Sequence, residues 1–186
     1  FEIPPPEGTF WGPFDLPVLS PDGSRVMFAA TKRDGTRNLW LRPMDSVIAQ
    51  PIPGTEGNAV MAGAWSPDGR SIAYTAGSKL HRLEIAGGSP QAVSSVPAWG
   101  ATAWSPAGII LFTANQSPNQ IYQVPASGGE AKLAVASGAS GDFPSFLPGG
   151  RRFLYGVFAP DLGLNVAALD SQAGKQTFTF VHLYDP

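Results

Sequence analysis

The segment Ala64-Trp65-Ser66-Pro67-Asp68-Gly69-Arg70-Ser71-Ile72-Ala73-Tyr74 predicts a tight turn between two β-strands. Pro presets φ for the first central position of a turn, Asp accepts hydrogen bonds from its own backbone, and Gly adopts a positive φ that other residues resist. After the turn, Ile72 and Tyr74 alternate with Ala73, which is the two-residue period of a strand with one buried face. The segment therefore predicts a hairpin.

Similar hairpin sequences occur four times along the chain. The other copies are residues 18–28, 103–112 and 145–155. Their prolines stand at 21, 67, 106 and 148, so the spacings are 46, 39 and 42 residues. A second set of similar segments begins at residues 39, 80, 121 and 164, with spacings of 41, 41 and 43. Two separate markers therefore share one period.

A period of this length fits propeller blades and also paired-helix repeats of about 40 to 47 residues. Strand alternation after each turn, and the Gly or Pro residues that interrupt every longer stretch, favour blades. We therefore predict an all-β fold, a β-propeller of four-stranded antiparallel blades, with repeats at about 12–57, 58–97, 98–137 and 138–180. The residues predicted to form the repeat turns are Ser20, Pro21, Asp22, Gly23, Ser66, Pro67, Asp68, Gly69, Ser105, Pro106, Gly108, Pro148 and Gly150.

Composition excludes several function classes. The chain has 186 residues with 22 Gly, 19 Pro and no Cys, which excludes disulfides, thiol catalysis and thiolate metal sites. Charged residues are 14% and the net charge is -2, so no basic field is present to bind nucleic acid. No run reaches the ~20 apolar residues of a membrane span, and we expect no membrane contact within this segment. Because the chain opens on Phe1, we expect it to be a fragment of a longer polypeptide.

Aromatic residues are the first candidates for binding. Trp65 and Trp104 occupy the same repeat position as Leu19 and Phe146, and a position that recurs beside each turn favours packing between blades over a ligand platform. Trp11, Trp40 and Trp99 lie outside the repeated positions, and for them both exposed contacts and core packing stay open.

Catalytic and metal motifs are absent from the sequence. His81 and His182 are 101 residues apart without a metal-binding pattern, and no Gly-x-Ser-x-Gly elbow, P-loop or dinucleotide fingerprint occurs. Some propellers hydrolyse glycosides with two carboxylates about 5 to 9.5 Å apart, and Asp15 and Asp142, just before predicted innermost strands, are the acids placed to do so. We expect no cofactor and no catalysis in this segment, with Trp11, Asp15, Trp99 and Asp142 as candidate rim or channel contacts.

The repeated turn resembles the TolB-type β-propeller repeat, in which an aromatic residue precedes Ser-Pro-Asp-Gly and a strand with an aromatic follows. Residues 65–69 with Tyr74 match best, and the resemblance spans about residues 12 to 180. Such propellers usually have more than four blades. The resemblance therefore implies part of a six- to eight-bladed ring, with residues 1–3 as the outer strand of the last blade. An open arc would expose apolar faces, so missing blades or a second copy would be needed to close the ring.

A narrower resemblance concerns the parent protein. Residues 1–8, 39–45, 51–57 and 124–130 are similar to propellers attached to bacterial membrane-anchored serine/threonine protein kinases. This implies a sensor or docking module outside the cytoplasm, in the periplasm or extracytoplasmic space, with a protein or small ligand as its partner. Two alternatives stay open: the substrate-gating propeller of a prolyl-oligopeptidase-like peptidase, and a stand-alone periplasmic scaffold like TolB.

Overall fold

The computed structural model describes residues 2–12, 15–57, 60–114, 118–135, 141–157 and 163–169. These residues contain strands and turns and no α-helix. The strands are β1 (Thr9–Phe10), β2 (Val18–Leu19), β3 (Arg25–Lys32), β4 (Arg37–Pro43), β5 (Gln50–Pro51), β6 (Met61–Trp65), β7 (Ser71–Ala76), β8 (Lys79–Glu84), β9 (Gln91–Ala92), β10 (Ala98–Trp104), β11 (Ile109–Ala114), β12 (Gln120–Pro125), β13 (Lys132–Val135), β14 (Gly141–Phe146), β15 (Arg152–Val157) and β16 (Gly163–Ala168).

The strands form four antiparallel sheets, one for each predicted repeat. Blade 2 is β6 to β9 and blade 3 is β10 to β13, each with its strands paired in chain order. In blade 1, β1 and β2 both pair with the same edge of β3, and β4 and β5 follow. Blade 4 contains β14 to β16. Its expected fourth strand, before residue 180, lies outside the described residues. The predicted all-β class and the four-stranded blade plan are confirmed.

The repeat turns have the predicted chemistry. The amides of Gly23 and Gly69 each donate to the carbonyl of the Ser three residues earlier at 2.9 Å, and Gly108 does so at 3.0 Å. Their φ angles are 69°, 67° and 75°, which only glycine adopts without strain. In the fourth turn, Gly150 donates to Leu147 at 3.0 Å with a φ of 65°.

The turn aspartates are bound within their own turns. Asp22 accepts from the Ser20 hydroxyl at 2.6 Å and from the Ser24 amide at 3.0 Å, and these bonds lower its pKa to about 2. Asp68 accepts equivalent bonds from the Ser66 hydroxyl and the Arg70 amide, which also lower its pKa. Both carboxylates therefore stabilise the turns to which they belong.

Neighbouring blades pack face to face. We call the sheet face that carries Val26 and Phe28 in blade 1, and the corresponding residues in the other blades, the leading face. In blades 2 to 4 it is buried against the preceding blade. The contacting sets are Ile72 and Tyr74 with Met27 and Leu39, Ile110 and Phe112 with Ala73 and Leu80, and Phe153 and Tyr155 with Leu111 and Ile121. The alternation after each turn thus supplies the core between blades.

The N-terminal segment packs against blade 1. No strand occurs in residues 2–8, and Phe1 lies outside the described residues, so pairing of residues 1–3 with a last blade stays a prediction. Ile3 packs against the leading face of blade 1. Strand β1, which pairs with β3, begins three residues before the predicted start of the first repeat. The Trp11 ring contacts Phe28 edge to face at 4.9 Å between centroids.

The apolar face of the first blade is buried in this structure. Val26, Phe28 and Ala30 are 2%, 0% and 0% exposed, although no preceding blade covers them. Ile3 and Trp11 of the N-terminal segment contact this face, and Trp40, Met44 and Ala49 of blade 1 itself also pack against it.

Candidate docking face

The repeated aromatic position lies between blades. Trp65 is 6% exposed, and its indole N–H donates to the Val18 carbonyl of blade 1 at 3.1 Å. The Arg25 guanidinium of blade 1 lies over the ring at 5.0 Å and donates to the Gly69 carbonyl at 3.0 Å. Trp104 of blade 3 carries Arg82 of blade 2 over its ring at 5.8 Å. These contacts agree with packing between blades as the role of the position.

Asp15 is buried inside blade 1. Its side chain accepts from the Gly12 amide at 2.5 Å and forms an ion pair with Arg37. The Arg37 Nε also donates to the Val60 carbonyl of blade 2 at 2.9 Å. Asp15 therefore holds an arginine that joins the first two blades.

Asp142 is buried between blades 3 and 4. It lies within β14, one residue inside the strand, and is 4% exposed. Its carboxylate accepts from the Thr113 hydroxyl at 2.5 Å, from the Phe143 amide at 2.7 Å, and from the Ala101 amide. Burial raises the pKa of this carboxyl, and the three hydrogen bonds partly offset the effect. Thr113 and Ala101 belong to blade 3, so Asp142 anchors the innermost strand of blade 4 to its neighbour.

The two aspartates occupy one repeat position, because each stands six residues before its turn proline. Blade 3 has Gly100 there, with a φ of 78°, and a Cβ at this glycine would lie 3.1 Å from the Asp142 carboxylate. A side chain would therefore press on the Asp142 site. The sequence interpretation placed Asp15 and Asp142 among candidate channel contacts; the structure places both carboxylates inside hydrogen-bonded contacts of the fold.

Apolar side chains on or just before the innermost strands are exposed. Leu16, two residues before β2, and Phe143 on β14 each follow one of the two aspartates and are 58% and 37% exposed, and Trp99 on β10 is 37% exposed. Phe143 has a φ of 54°, a strained value for a residue other than glycine. Innermost strands line the central channel of a propeller. We call Leu16, Trp99 and Phe143 the channel face.

The remaining candidates from the sequence are two tryptophans and the two histidines. Trp11 is 36% exposed at its rim while its ring contacts Phe28. Trp40 packs against the leading face of blade 1, and its indole nitrogen is buried. His81 stacks on Tyr74 at 5.3 Å, and burial lowers the pKa of His81 and raises that of Tyr74 to about 12. His182 lies outside the described residues.

One repeated pair was missed by the sequence analysis. The second set of repeated segments begins at residues 39, 80, 121 and 164. In each, the second residue is the cross-strand partner of an aromatic residue on the strand that follows the repeat turn. The pairs are Phe28 with Trp40, Tyr74 with His81, Phe112 with Tyr122, and Tyr155 with Asn165. The shared spacing could have revealed them, and it explains His81 as a stacking partner.

Within the described ranges no group of three or more His, Cys, Asp or Glu side chains is close enough to hold a metal ion. No helix in this part of the chain is long and apolar enough to cross a membrane.

No protein-family model and no curated protein matches the chain. Solved structures do match. A TolB-type protein from Agrobacterium tumefaciens superposes with a TM-score of 0.74 at 18% identity, over 87% of this chain and 62% of that one. TolB from Acinetobacter baumannii superposes with a TM-score of 0.74 at 13% identity, over 89% of this chain and 43% of that one.

The fold is that of a TolB-type β-propeller. A peptidase from Mycobacterium tuberculosis that hydrolyses puromycin also matches, with a TM-score of 0.66 at 16% identity, over 97% of this chain and 34% of that one. The chain thus spans less than two thirds of the length of these solved structures. At such identities the likeness describes the fold, and function has to be argued from the surface.

Proposed function

We propose that this propeller segment is a noncatalytic docking module that binds a protein or small ligand at its channel face. One observation carries the proposal. The carboxylates of Asp15, just before β2, and Asp142, on β14, are bound by groups of the fold, whereas the apolar side chains beside them are exposed. Buried, fully bonded acids support structure, and exposed aromatic and aliphatic side chains support binding.

A finer proposal concerns the parent protein. We infer a sensor region of a bacterial receptor serine/threonine kinase, located outside the cytoplasm and completed by further blades or a second copy. The support is the resemblance of residues 1–8, 39–45, 51–57 and 124–130 to kinase-attached propellers. Sequencing the gene outward from both ends tests it. A kinase domain and a membrane span before Phe1 would support it, and a Gly-x-Ser-x-Gly hydrolase domain after Pro186 would refute it.

The structural matches also favour a second candidate, the propeller of a peptidase. The puromycin-hydrolysing peptidase and a prolyl endopeptidase, which matches over 91% of this chain and 28% of its own with a TM-score of 0.60, both contain a propeller-like region of this size. Here the channel face would screen peptides on their way to a separate catalytic domain. A hydrolase domain in the same gene, without a kinase domain, would support this function over the kinase sensor.

Docking at the channel face can be tested with a photo-crosslinking amino acid. The crosslinker replaces Trp99 or Phe143 in the full-length protein in its own bacterium, and Val47, an exposed turn residue at 88% exposure, serves as the matched control. We expect the same partner to be captured from positions 99 and 143 and absent at position 47. Equal capture at all three positions, or turnover of peptides or glycosides by the pure segment, would contradict the proposal.

A further inference from the structure

A groove lined by arginines lies where the repeat turns of blades 1 and 2 meet. Its main depression, about 500 Å³ in volume, is lined by Arg25, Arg70 and Arg82 with Asp68 and Glu84. A second depression of about 230 Å³ shares Arg82 and Glu84 with it. We call the two together the turn-side groove. It shares no residue with the channel face, so a ligand bound in this groove would be additional to the one in the proposed function.

Two of the three guanidinium groups are held in place. Arg25 is fixed by its hydrogen bond to Gly69 and by the ring of Trp65. Arg82 lies over Trp104 and donates to the Ser71 hydroxyl at 3.4 Å. A guanidinium has five N–H donors, so each retains donors for a ligand, and a fixed group loses less freedom on binding.

The third arginine supplies an exposed cation. The Arg70 side chain forms no hydrogen bond or close ion pair through its guanidinium within the described ranges, and its charge acts on the neighbouring Asp68 carboxylate. The Arg82 side chain is partly exposed, and its guanidinium keeps N–H groups beyond the one that donates to Ser71. Both guanidinium groups can therefore donate to an oxygen of an incoming ligand.

The acids of the groove cancel only part of this charge, because three arginines face two carboxylates. The Asp68 carboxylate accepts from the Ser66 hydroxyl at 2.6 Å and the Arg70 amide at 3.1 Å, and these bonds lower its pKa and keep it negatively charged. Glu84 lies 3.6 Å from Arg82 and is 65% exposed in its side chain, where water screens the pair. The groove thus has an excess of positive charge in a chain whose net charge is -2. Charge complementarity selects an anionic ligand.

The second depression selects a peptide over a small anion. Apart from Arg82 and Glu84 it is lined by uncharged polar groups: Gly87, Gly88, Ser89 and Gln91. A Cβ built on either glycine would meet no atom within 4 Å, so the space beside this backbone is open to an extended chain. We propose that the turn-side groove binds an acidic peptide segment of a partner protein, with its carboxylates on Arg25, Arg70 and Arg82 and its backbone along residues 87–91.

A direct test is fluorescence anisotropy with a labelled Glu-rich decapeptide and a Gln-rich decapeptide of the same length. The variants are Arg70→Gln and Glu84→Gln, with Arg33→Gln as the matched control, because Arg33 is an exposed arginine in the hairpin between β3 and β4. Arg25 is left unchanged because it packs on Trp65. Circular dichroism of each variant checks the fold.

We expect the Glu-rich peptide to bind and the Gln-rich peptide to bind at least about tenfold more weakly. Arg70→Gln should weaken binding about fivefold, Glu84→Gln should tighten it, and Arg33→Gln should leave it within about twofold. No binding of the Glu-rich peptide, equal binding of the Gln-rich peptide, or equal loss in Arg70→Gln and Arg33→Gln would overturn the proposal. None of these outcomes bears on crosslinking from the channel face.

Discussion

The leading faces of blade 1 and blade 3 carry the same kind of side chains under different covers. In blade 3, Ile110 and Phe112 are buried against Ala73 and Leu80 of a complete sheet. In blade 1, the equivalent Val26 and Phe28 are equally buried, but under a segment without strands in residues 2–8. The repeat therefore encodes an apolar face, and the neighbouring chain determines what covers it.

The turn side of blade 1 shows where the cover ends. Trp65 at the repeated position of blade 2 is 6% exposed because Val18 and Arg25 of blade 1 contact it. Leu19, at the same position in blade 1, is 57% exposed. The N-terminal segment thus replaces a blade over the centre of the leading face and leaves this edge open.

The largest expected effect comes from matched truncations on the two faces. Phe112→Ala removes a fully buried ring between two sheets, where the cavity cannot collapse, and should cost about 3–5 kcal/mol of unfolding free energy. Phe28→Ala removes the same ring under the N-terminal segment, which can settle into the space, and should cost about 2 kcal/mol. Urea denaturation of both variants measures the difference. Equal costs would mean that the segment is as rigid as a blade.

A smaller effect is expected at the edge of the N-terminal cover. Trp11→Ala removes the edge-to-face contact with Phe28 and should cost about 1 kcal/mol. Trp99→Ala is the control, because Trp99 is 37% exposed against 36% for Trp11 and has no described ring contact. The midpoint temperature of thermal denaturation should be lower for Trp11→Ala than for Trp99→Ala. The reverse order would mean that Trp11 does not stabilise the packing on the leading face of blade 1.

The smallest effect is a pH dependence confined to an interface between blades. Burial lowers the pKa of His81 below its usual 6.5, so its neutral form stabilises the fold. This contribution is present above pH 6.5 and is lost as the pH falls from there through the lowered value. Trp40, at the same position in blade 1, cannot titrate. The free energy of unfolding, measured from pH 8 to 5, should fall more in the unchanged chain than in His81→Phe, and parallel curves would contradict this.

Sequence reasoning predicted what the repeat encodes. The four turns at Pro21, Pro67, Pro106 and Pro148 occur as expected, and the alternating residues 72–74 lie in β7, because turn chemistry and alternation are local signals. The N-terminal cover was missed because it has no counterpart in the repeat. Residues that meet only in the fold were missed too. Asp15 and Arg37 are 22 positions apart, and Asp142 and Thr113 are 29 apart.

The most direct measurement is the stability of Asp142→Ala beside that of Asp45→Ala, an exposed carboxylate in a turn of blade 1. In the proposed function, Asp15 and Asp142 support the fold and do no chemistry. Asp142→Ala leaves the Thr113 hydroxyl and two backbone amides without their acceptor and should cost about 2 kcal/mol or more, whereas Asp45→Ala should leave stability unchanged. An Asp142→Ala variant that keeps full stability but loses a measurable turnover would contradict the account.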